Sequence, residues 1–98
     1  FAWPGYGENM RVLEWIVDRC LGRVVAEETA LGWMPILDDF DITGLDGFDR
    51  EQLDKVFKID LEEWKHEVNL QDEFFLLLHR DLPEEIILQK ELLVSRLF

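Results

Sequence analysis

The feature that most constrains this chain is a set of three helix-start patterns in its second half. Each pattern places an aspartate three residues before a glutamine or glutamate, at Asp49 and Gln52, Asp60 and Glu63, and Asp81 and Glu84. The aspartate can accept from an orphan amide of the first turn, and the later side chain can reach back to the aspartate's own amide. Pro83 fits the first turn of the last helix because a missing N–H costs nothing there. The sequence therefore predicts three helices, the last of which runs to the end of the chain.

An earlier helix is predicted from about Asn9 by the spacing of apolar residues. These residues recur on one helical face, at Met10, Leu13, Val17, Cys20 and Leu21. Gly22 follows directly, and a glycine in this place typically ends a helix. We expect the apolar face to be buried, with Cys20 acting as a small hydrophobic residue.

The long helix after Asp60 carries more apolar residues than it needs for a single stripe that faces the core. One stripe contains Leu61, Trp64, Val68, Phe75 and Leu78, and an adjacent stripe contains Leu70, Phe74 and Leu77. By contrast, residues 23–46 show no sustained period and are interrupted by Gly32, Pro35 and acidic residues. The predicted fold class is therefore mainly α, with an irregular middle that has room for a short strand.

Charge and cysteine content restrict the partners and the compartment. The chain has 22 acidic and 10 basic side chains, and its formal net charge of -12 repels polyanions, so we expect neither nucleic acid nor an anionic membrane as a partner. The longest apolar run, residues 74–78, is far shorter than the roughly 20 residues that span a bilayer. A single cysteine rules out an internal disulfide, and we expect a reducing, cytoplasmic location.

One stretch has the partial spacing of a calcium-binding loop. Asp39, Asp41, Thr43 and Gly44 stand at suitable positions, but the twelfth position is Arg50 instead of a bidentate glutamate. We therefore interpret the stretch as a solvated acidic turn.

No other pattern supports catalysis or metal binding. His66 and His79 lie far apart and outside any metal-binding spacing, so we expect surface or capping histidines. The glutamate pairs at residues 62–63 and 84–85 occupy predicted first turns, where the helix dipole favours negative charge. The phosphate-binding pattern Gly-x-x-x-x-Gly-Lys-Ser/Thr does not occur in the sequence. We expect no catalytic residue and no metal ligand in this chain.

The first nine residues combine aromatic rings, a turn and an amide. Phe1, Trp3 and Tyr6 surround a Pro-Gly turn, and Asn9 follows at the predicted helix start. Aromatic faces stack on planar bases, and an asparagine amide offers both a donor and an acceptor to a purine edge. The plainer alternative is that the rings anchor the loop to the core. The residues alone leave both interpretations open.

A run of rare residues at fixed places carries a family resemblance. Residues 1–15 read Phe-Ala-Trp-Pro-Gly-Tyr-Gly-Glu-Asn-Met-Arg-Val-Leu-Glu-Trp. This run resembles a signature near the C-terminal end of the GTP-dependent phosphoenolpyruvate carboxykinase family. The likeness continues more loosely over the rest of the chain, through residues 28–35, 45–47, 64–68 and 82–85.

The resemblance implies a larger α/β enzyme of which residues 1–98 are the C-terminal part of the nucleotide-binding domain. Within it, residues 1–9 would form a guanine-pocket loop and residues 10–98 a helical region. The implied reaction converts oxaloacetate and GTP to phosphoenolpyruvate, carbon dioxide and GDP, as in gluconeogenesis. Manganese or magnesium would assist it, bound by residues outside this segment. The implied partners are the remainder of the enzyme, GTP or GDP, and the two carboxylate substrates.

Three residues match the family's base-binding positions. Phe1 and Tyr6 correspond to aromatic residues that line the guanine pocket, and Asn9 corresponds to an asparagine that hydrogen-bonds the base. Trp3 and the Pro-Gly turn would shape the loop. Tyr6 departs from the phenylalanine of the family pattern, and its hydroxyl needs a partner or water. The isolated segment is expected to be inactive.

The alternative is an independent acidic helical module that binds a protein partner. Its long helix would offer an apolar surface to that partner, formed by Phe74, Phe75, Leu77 and Leu78. Residues 1–9 argue against this alternative, because a binding module has no need for so demanding a loop.

Overall fold

The computed structural model describes residues 2–98, and this part of the chain divides between Lys58 and Ile59 into two compact units. The first unit contains two helices and a hairpin: α1 (Met10–Cys20), β1 (Ala26–Thr29), β2 (Gly32–Pro35) and α2 (Arg50–Phe57). The second contains α3 (Leu61–Leu78) and α4 (Glu84–Leu97). Short 3-10 turns lie at Tyr6–Glu8, Leu37–Asp39 and His79–Asp81. The mainly helical class predicted from the sequence is confirmed.

Two short strands occupy the region for which we predicted a single strand at most. β1 and β2 pair antiparallel, with Ala26 opposite Pro35 and Thr29 opposite Gly32. The Thr29 hydroxyl donates to the Gly32 carbonyl at 2.7 Å and accepts from the Leu31 N–H at 3.2 Å. Gly32 has a φ of 131°, which a side chain would disfavour. The hairpin thus depends on its turn, and strands of four residues are too short to show a clear alternating pattern.

The C-terminal end of α1 confirms the predicted glycine cap. Gly22 has a φ of 72°, in the left-handed region. Its N–H donates to the Arg19 carbonyl at 3.1 Å, and the Arg23 N–H donates to the Asp18 carbonyl at 2.8 Å. This pair of bonds forms the Schellman arrangement, which satisfies carbonyls that the helix leaves open.

The core of the first unit is small and aromatic. Its buried members are Trp15 from α1, Phe40 from the segment after the Leu37–Asp39 turn, and Leu53 from α2, which is fully buried. Trp3 packs edge-on against Phe40 with ring centroids 5.9 Å apart. Phe57 packs edge-on against the same ring at 5.2 Å. Large edge-to-face rings let so few residues fill a continuous interior.

The prediction for the buried face of α1 was wrong. The predicted face is exposed at every position, at Met10, Leu13, Val17, Cys20 and Leu21. Met10 is 71% exposed and Leu21 60% exposed, whereas Trp15, between them along the helix, is 9% exposed. Apolar periodicity identifies a stripe that favours burial, but it does not identify which neighbour covers the stripe. Within this unit, α1 uses its tryptophan for the core and presents the aliphatic stripe outwards.

The three predicted helix starts have three different outcomes. At α2 the full capping box is present: Asp49 accepts from the Gln52 N–H at 3.1 Å, and Gln52 accepts from the Asp49 N–H at 2.8 Å. At α3 the Asp60 carboxylate accepts from the N–H groups of residues 62 and 63, at 3.0 and 3.1 Å, but the predicted return bond from the Glu63 side chain is not formed. Both helices therefore begin where the pattern predicted.

The third helix start was predicted incorrectly. Asp81 lies in the His79–Asp81 turn and caps nothing, while Pro83 is the N-cap residue and α4 begins at Glu84. Leu82 is extended, with ψ of 118°, because a residue before proline avoids the helical region. The proline therefore moves the helix start past the aspartate.

In the second unit, α3 and α4 pack against each other around few buried residues. Val68 and Leu97 are buried. Lys90 forms an ion pair with Asp72 and lies 5.1 Å from the centre of the Phe75 ring. The predicted adjacent stripe of α3 is exposed, at Leu70, Phe74 and Leu77. Leu77 reaches 83% exposure, and of the described large apolar residues of this unit only Val68 and Leu97 are buried.

We expect Leu53→Ala to destabilise the chain by about 2–5 kcal/mol, because it leaves a cavity where no solvent reaches. Leu21→Ala is the matched control: at 60% exposure it should change the free energy of unfolding by less than about 0.5 kcal/mol. Urea unfolding followed by tryptophan fluorescence measures both. Equal effects would contradict the assignment of Leu53 to the core.

Candidate functional site

The predicted base-binding loop forms a tight turn that leads directly into α1. Gly5 has a φ of 118°, a conformation that favours glycine. The Glu8 N–H donates to the Gly5 carbonyl at 3.1 Å, and the Asn9 N–H donates to the Tyr6 carbonyl at 3.0 Å. These bonds close the Tyr6–Glu8 turn and place Asn9 at the N-cap position of the helix.

Two of the three predicted site residues lie beside one surface depression. Tyr6 and Asn9 line a depression of about 560 Å³ together with Gly7, Met10, Val12 and Leu13. Tyr6 is 90% exposed, so its ring face and its hydroxyl are both open to solvent. Phe1, the third predicted residue, lies outside the described residues.

Asn9 is held by contacts of both its backbone and its side chain. Its carbonyl accepts from the N–H groups of Val12 and Leu13, at 3.1 and 3.3 Å. Its side-chain Oδ1 accepts from the indole Nε1 of Trp3 at 2.9 Å. The side chain makes no capping bond to the helix. The Asn9 amide therefore has a defined orientation without serving as a cap.

Arg11 ties the turn to a distant loop. Its Nε donates to a carboxylate oxygen of Glu8 at 2.7 Å, and its two terminal nitrogens donate to the carbonyls of Asp41 and Thr43, at 3.1 and 2.9 Å. The Arg11 side chain is only 19% exposed, so these charge-assisted bonds are partly shielded from water. No sequence pattern predicted this role of Arg11, because the contacts span about 30 residues.

Asp41 belongs to the same network. Hydrogen bonds from the hydroxyl and the backbone N–H of Thr43 hold the pKa of Asp41 below its ordinary value, and the Arg11 guanidinium lowers it further. The carboxylate thus stays ionised near the arginine. Its bond to the Thr43 N–H, at 2.8 Å, is that of an acidic turn, as the sequence predicted for the former calcium-loop candidate.

The structure offers no metal centre in its described part. Within residues 2–98, no three His, Cys, Asp or Glu side chains are grouped so that they could hold a metal ion. His66 and His79 are exposed, and His79 is the C-cap residue of α3, with a φ of 30°. None of the described helices is both long and apolar enough to cross a membrane.

A second depression lies between the helices of the second unit. Its volume is about 610 Å³, and it is lined mainly by apolar side chains of α3 and α4, with Asp72, His79, Lys90 and Glu91 among them. Two of these charged groups, Asp72 and Lys90, are paired with each other. The smaller depression beside Tyr6 and Asn9 is the better candidate site, because a free aromatic face and an oriented amide meet there.

Comparison with known families gives a match over almost the whole chain. The family profile described as "Phosphoenolpyruvate carboxykinase C-terminal P-loop domain" matches residues 1–96. The chain belongs to this family.

Curated relatives from several bacteria carry the name phosphoenolpyruvate carboxykinase (GTP). The protein of Anaeromyxobacter sp. (strain K) is 46% identical over 96 residues, which are 98% of this chain. The protein of Renibacterium salmoninarum is 40% identical over 97 residues, and that of Chlamydia pneumoniae is 38% identical over 87. The match spans 16% of the length of the first two relatives and 14% of the third. This member of the carboxykinase family thus corresponds to a small part of those proteins.

We expect Arg11→Lys to destabilise the chain by about 1–3 kcal/mol, because lysine cannot reproduce the forked bonds to Glu8 and to both carbonyls. Arg23→Lys is the control: Arg23 is 67% exposed in its ion pair with Asp18, and its replacement should cost less than about 0.5 kcal/mol. Urea unfolding of the three proteins measures the difference. An Arg11→Lys variant as stable as Arg23→Lys would show that the network does not hold the turn.

Proposed function

We propose that the chain is the C-terminal part of a GTP-dependent phosphoenolpyruvate carboxykinase and supplies one edge of its guanine pocket. The observation that carries the proposal is the depression beside α1, which joins the open ring of Tyr6 to the oriented amide of Asn9. The family match over residues 1–96 supports the same assignment.

Tyr6 would stack on the face of the base. Its ring is exposed, and Gly5 and the Tyr6–Glu8 turn fix the backbone that carries it. The tyrosine hydroxyl, which departs from the family pattern, lies in solvent and can be satisfied by water. Phe1 would add a second aromatic contact, as the resemblance implies.

Asn9 would read the edge of the base. A pocket that hydrogen-bonds guanine leaves its polar groups unpaired when adenine occupies it, at a cost of about 1–3 kcal/mol per unmatched group. This segment would therefore contribute nucleotide specificity and no bond-making step. The isolated chain is expected to be inactive.

The chemistry would belong to the rest of the enzyme. The family reaction converts oxaloacetate and GTP to phosphoenolpyruvate, carbon dioxide and GDP, and a divalent metal such as manganese or magnesium would supply charge stabilisation for the phosphoryl group. The described residues do not fit a metal site, so the metal would be held elsewhere. We propose a cytoplasmic enzyme without nucleic-acid or membrane partners, in keeping with the formal charge of -12.

The exposed apolar surfaces would be covered by the remainder of the enzyme. Neighbouring apolar side chains are exposed within the outward stripe of α1 and, separately, within the α3 stripe that contains Leu70, Phe74 and Leu77, and contiguous exposed apolar patches often mark interaction surfaces. An independent interaction module would also use the α3 stripe. The carboxykinase proposal also explains the opening loop, because it makes that loop the candidate base site. The interaction module leaves the loop without a role.

The proposal is tested first on the full-length enzyme that contains this chain. Phosphoenolpyruvate formation from oxaloacetate is assayed with manganese and either GTP or ATP. Activity with GTP and little with ATP supports the proposal. A folded enzyme that is inactive with both nucleotides contradicts it and favours the interaction module.

We expect Asn9→Ala in the full-length enzyme to raise the KM for GTP about 5- to 100-fold while kcat changes much less, because the amide binds the base and not the reacting phosphoryl group. The same variant should lower the ratio of kcat/KM values for GTP and ATP. Steady-state kinetics with both nucleotides measure this. An unchanged ratio would contradict the assignment of Asn9 to the guanine pocket.

Tyr6 offers a pair of variants that separate stacking from the hydroxyl group. Tyr6→Phe keeps the ring and should leave the KM for GTP within about twofold, whereas Tyr6→Ala should raise it about tenfold or more, since stacking on a base contributes about 1–3 kcal/mol. Because every base has a stacking face, Tyr6→Ala should weaken GTP and ATP alike. Equal KM values for the two variants would contradict a stacking role.

A further inference from the structure

The hydrogen bond between Trp3 and Asn9 fixes more than the position of the Asn9 side chain. An indole N–H can only donate, whereas an asparagine amide has one accepting and one donating end. The atom that faces Trp3 Nε1 at 2.9 Å is therefore Oδ1. A rotation of the amide by 180° would set its NH2 group against the indole N–H, two donors facing each other. Trp3 thereby holds the amide in one of its two orientations.

The donors of Asn9 that remain for a ligand are those of its NH2 group. The backbone N–H of Asn9 is bonded to the Tyr6 carbonyl, and its backbone carbonyl accepts from Val12 and Leu13. Its Oδ1 is bonded to Trp3. Asn9 thus acts as a hydrogen-bond donor towards a base in the adjoining depression.

Purine bases differ in the group that such a donor would meet. Guanine carries an accepting oxygen at position 6, and adenine carries a donating amino group there. An amide free to rotate could serve either base by offering NH2 to one and oxygen to the other. An amide held with its oxygen turned to Trp3 presents its NH2 group to position 6, which matches the accepting oxygen of guanine and opposes the amino group of adenine.

Trp3 is itself held in the core of the first unit. Its ring packs edge-on against Phe40 at 5.9 Å and against Phe48 at 6.0 Å. The indole is half-buried and cannot follow a rotating amide without losing these contacts. The core thus supplies a fixed donor to the site.

We infer that Trp3 is a positioning residue for base selection: its indole N–H sets the polarity of the Asn9 amide so that the site accepts a purine with an acceptor at position 6. The inference rests on the proposed function, because it requires Asn9 to contact the base. It adds Trp3 as the residue that determines which end of the Asn9 amide faces the base.

The first test is Trp3→Phe in the full-length enzyme, which keeps an aromatic ring against Phe40 and Phe48 but removes the donor. The amide can then turn, so the ratio of kcat/KM values for GTP and ATP should fall about fivefold or more, with kcat for GTP changed less than about twofold. Trp33→Phe is the matched control, because Trp33 is 63% exposed on β2. The control should leave the ratio unchanged.

A double variant separates positioning from general disturbance. In an Asn9→Ala background there is no amide to orient, so Trp3→Phe should not lower the GTP/ATP ratio further. A ratio that falls equally in both backgrounds would overturn the inference, since Trp3 would then act through something other than Asn9. If Asn9→Ala lowers the ratio and Trp3→Phe does not, the inference fails while the proposed function stands. If Asn9→Ala itself leaves the ratio unchanged, the proposed function fails.

Asn9→Asp provides a test that leaves Trp3 and the core intact. One carboxylate oxygen can still accept from the indole, and the other replaces the outward NH2 group with an acceptor. This variant should lower the GTP/ATP ratio more than Asn9→Ala does, because an acceptor opposes guanine O6 and suits the amino group of adenine. A ratio at or above that of Asn9→Ala would overturn the assigned polarity.

Discussion

One guanidinium group ties the opening turn of the first unit to the loop at residues 41–43. Arg11 donates to Glu8 within the Tyr6–Glu8 turn and to the carbonyls of Asp41 and Thr43 in a loop some 30 residues away. Hydrogen bonds from a charged donor are stronger than neutral ones, and the largely covered Arg11 side chain therefore helps to hold this exposed loop in place. The lowered pKa of Asp41 keeps a negative charge close by. The geometry of the candidate site follows from this bridge and from the aromatic core beneath it.

Features that depend on neighbouring residues could be predicted from the sequence, and features that depend on distant ones could not. The caps at Asp49, Asp60 and Gly22 are local, and all three are confirmed. The orientation of α1 is not local: its aliphatic stripe looked like the core face, yet Trp15 is the residue that is buried. The cap at Asp81 failed although it is local, because the backbone restriction imposed by Pro83 outweighed a favourable side chain.

The candidate site divides in the same way. The turn and the helix start at Asn9 follow from residue types. The family resemblance singled out Tyr6 and Asn9, and these two residues line one depression in the structure. The contacts that fix them, from Trp3 and Arg11, arise from folding and leave no trace in spacing. No sequence pattern distinguishes an asparagine that caps its helix from one whose oxygen is engaged by an indole, and this difference decides what Asn9 can offer.

The positive φ of Gly5 has a thermodynamic consequence for any ligand of this surface. Fixing the backbone of one residue costs about 1–2 kcal/mol of conformational entropy. Here that cost falls on folding, since the turn from Gly5 to Asn9 is closed by its own hydrogen bonds in the free chain. A planar molecule that docks against Tyr6 meets a surface that is already ordered, so less of the contact energy is lost to ordering the loop. A flexible loop with the same side chains would bind the ligand more weakly, because it would lose more conformational entropy on binding.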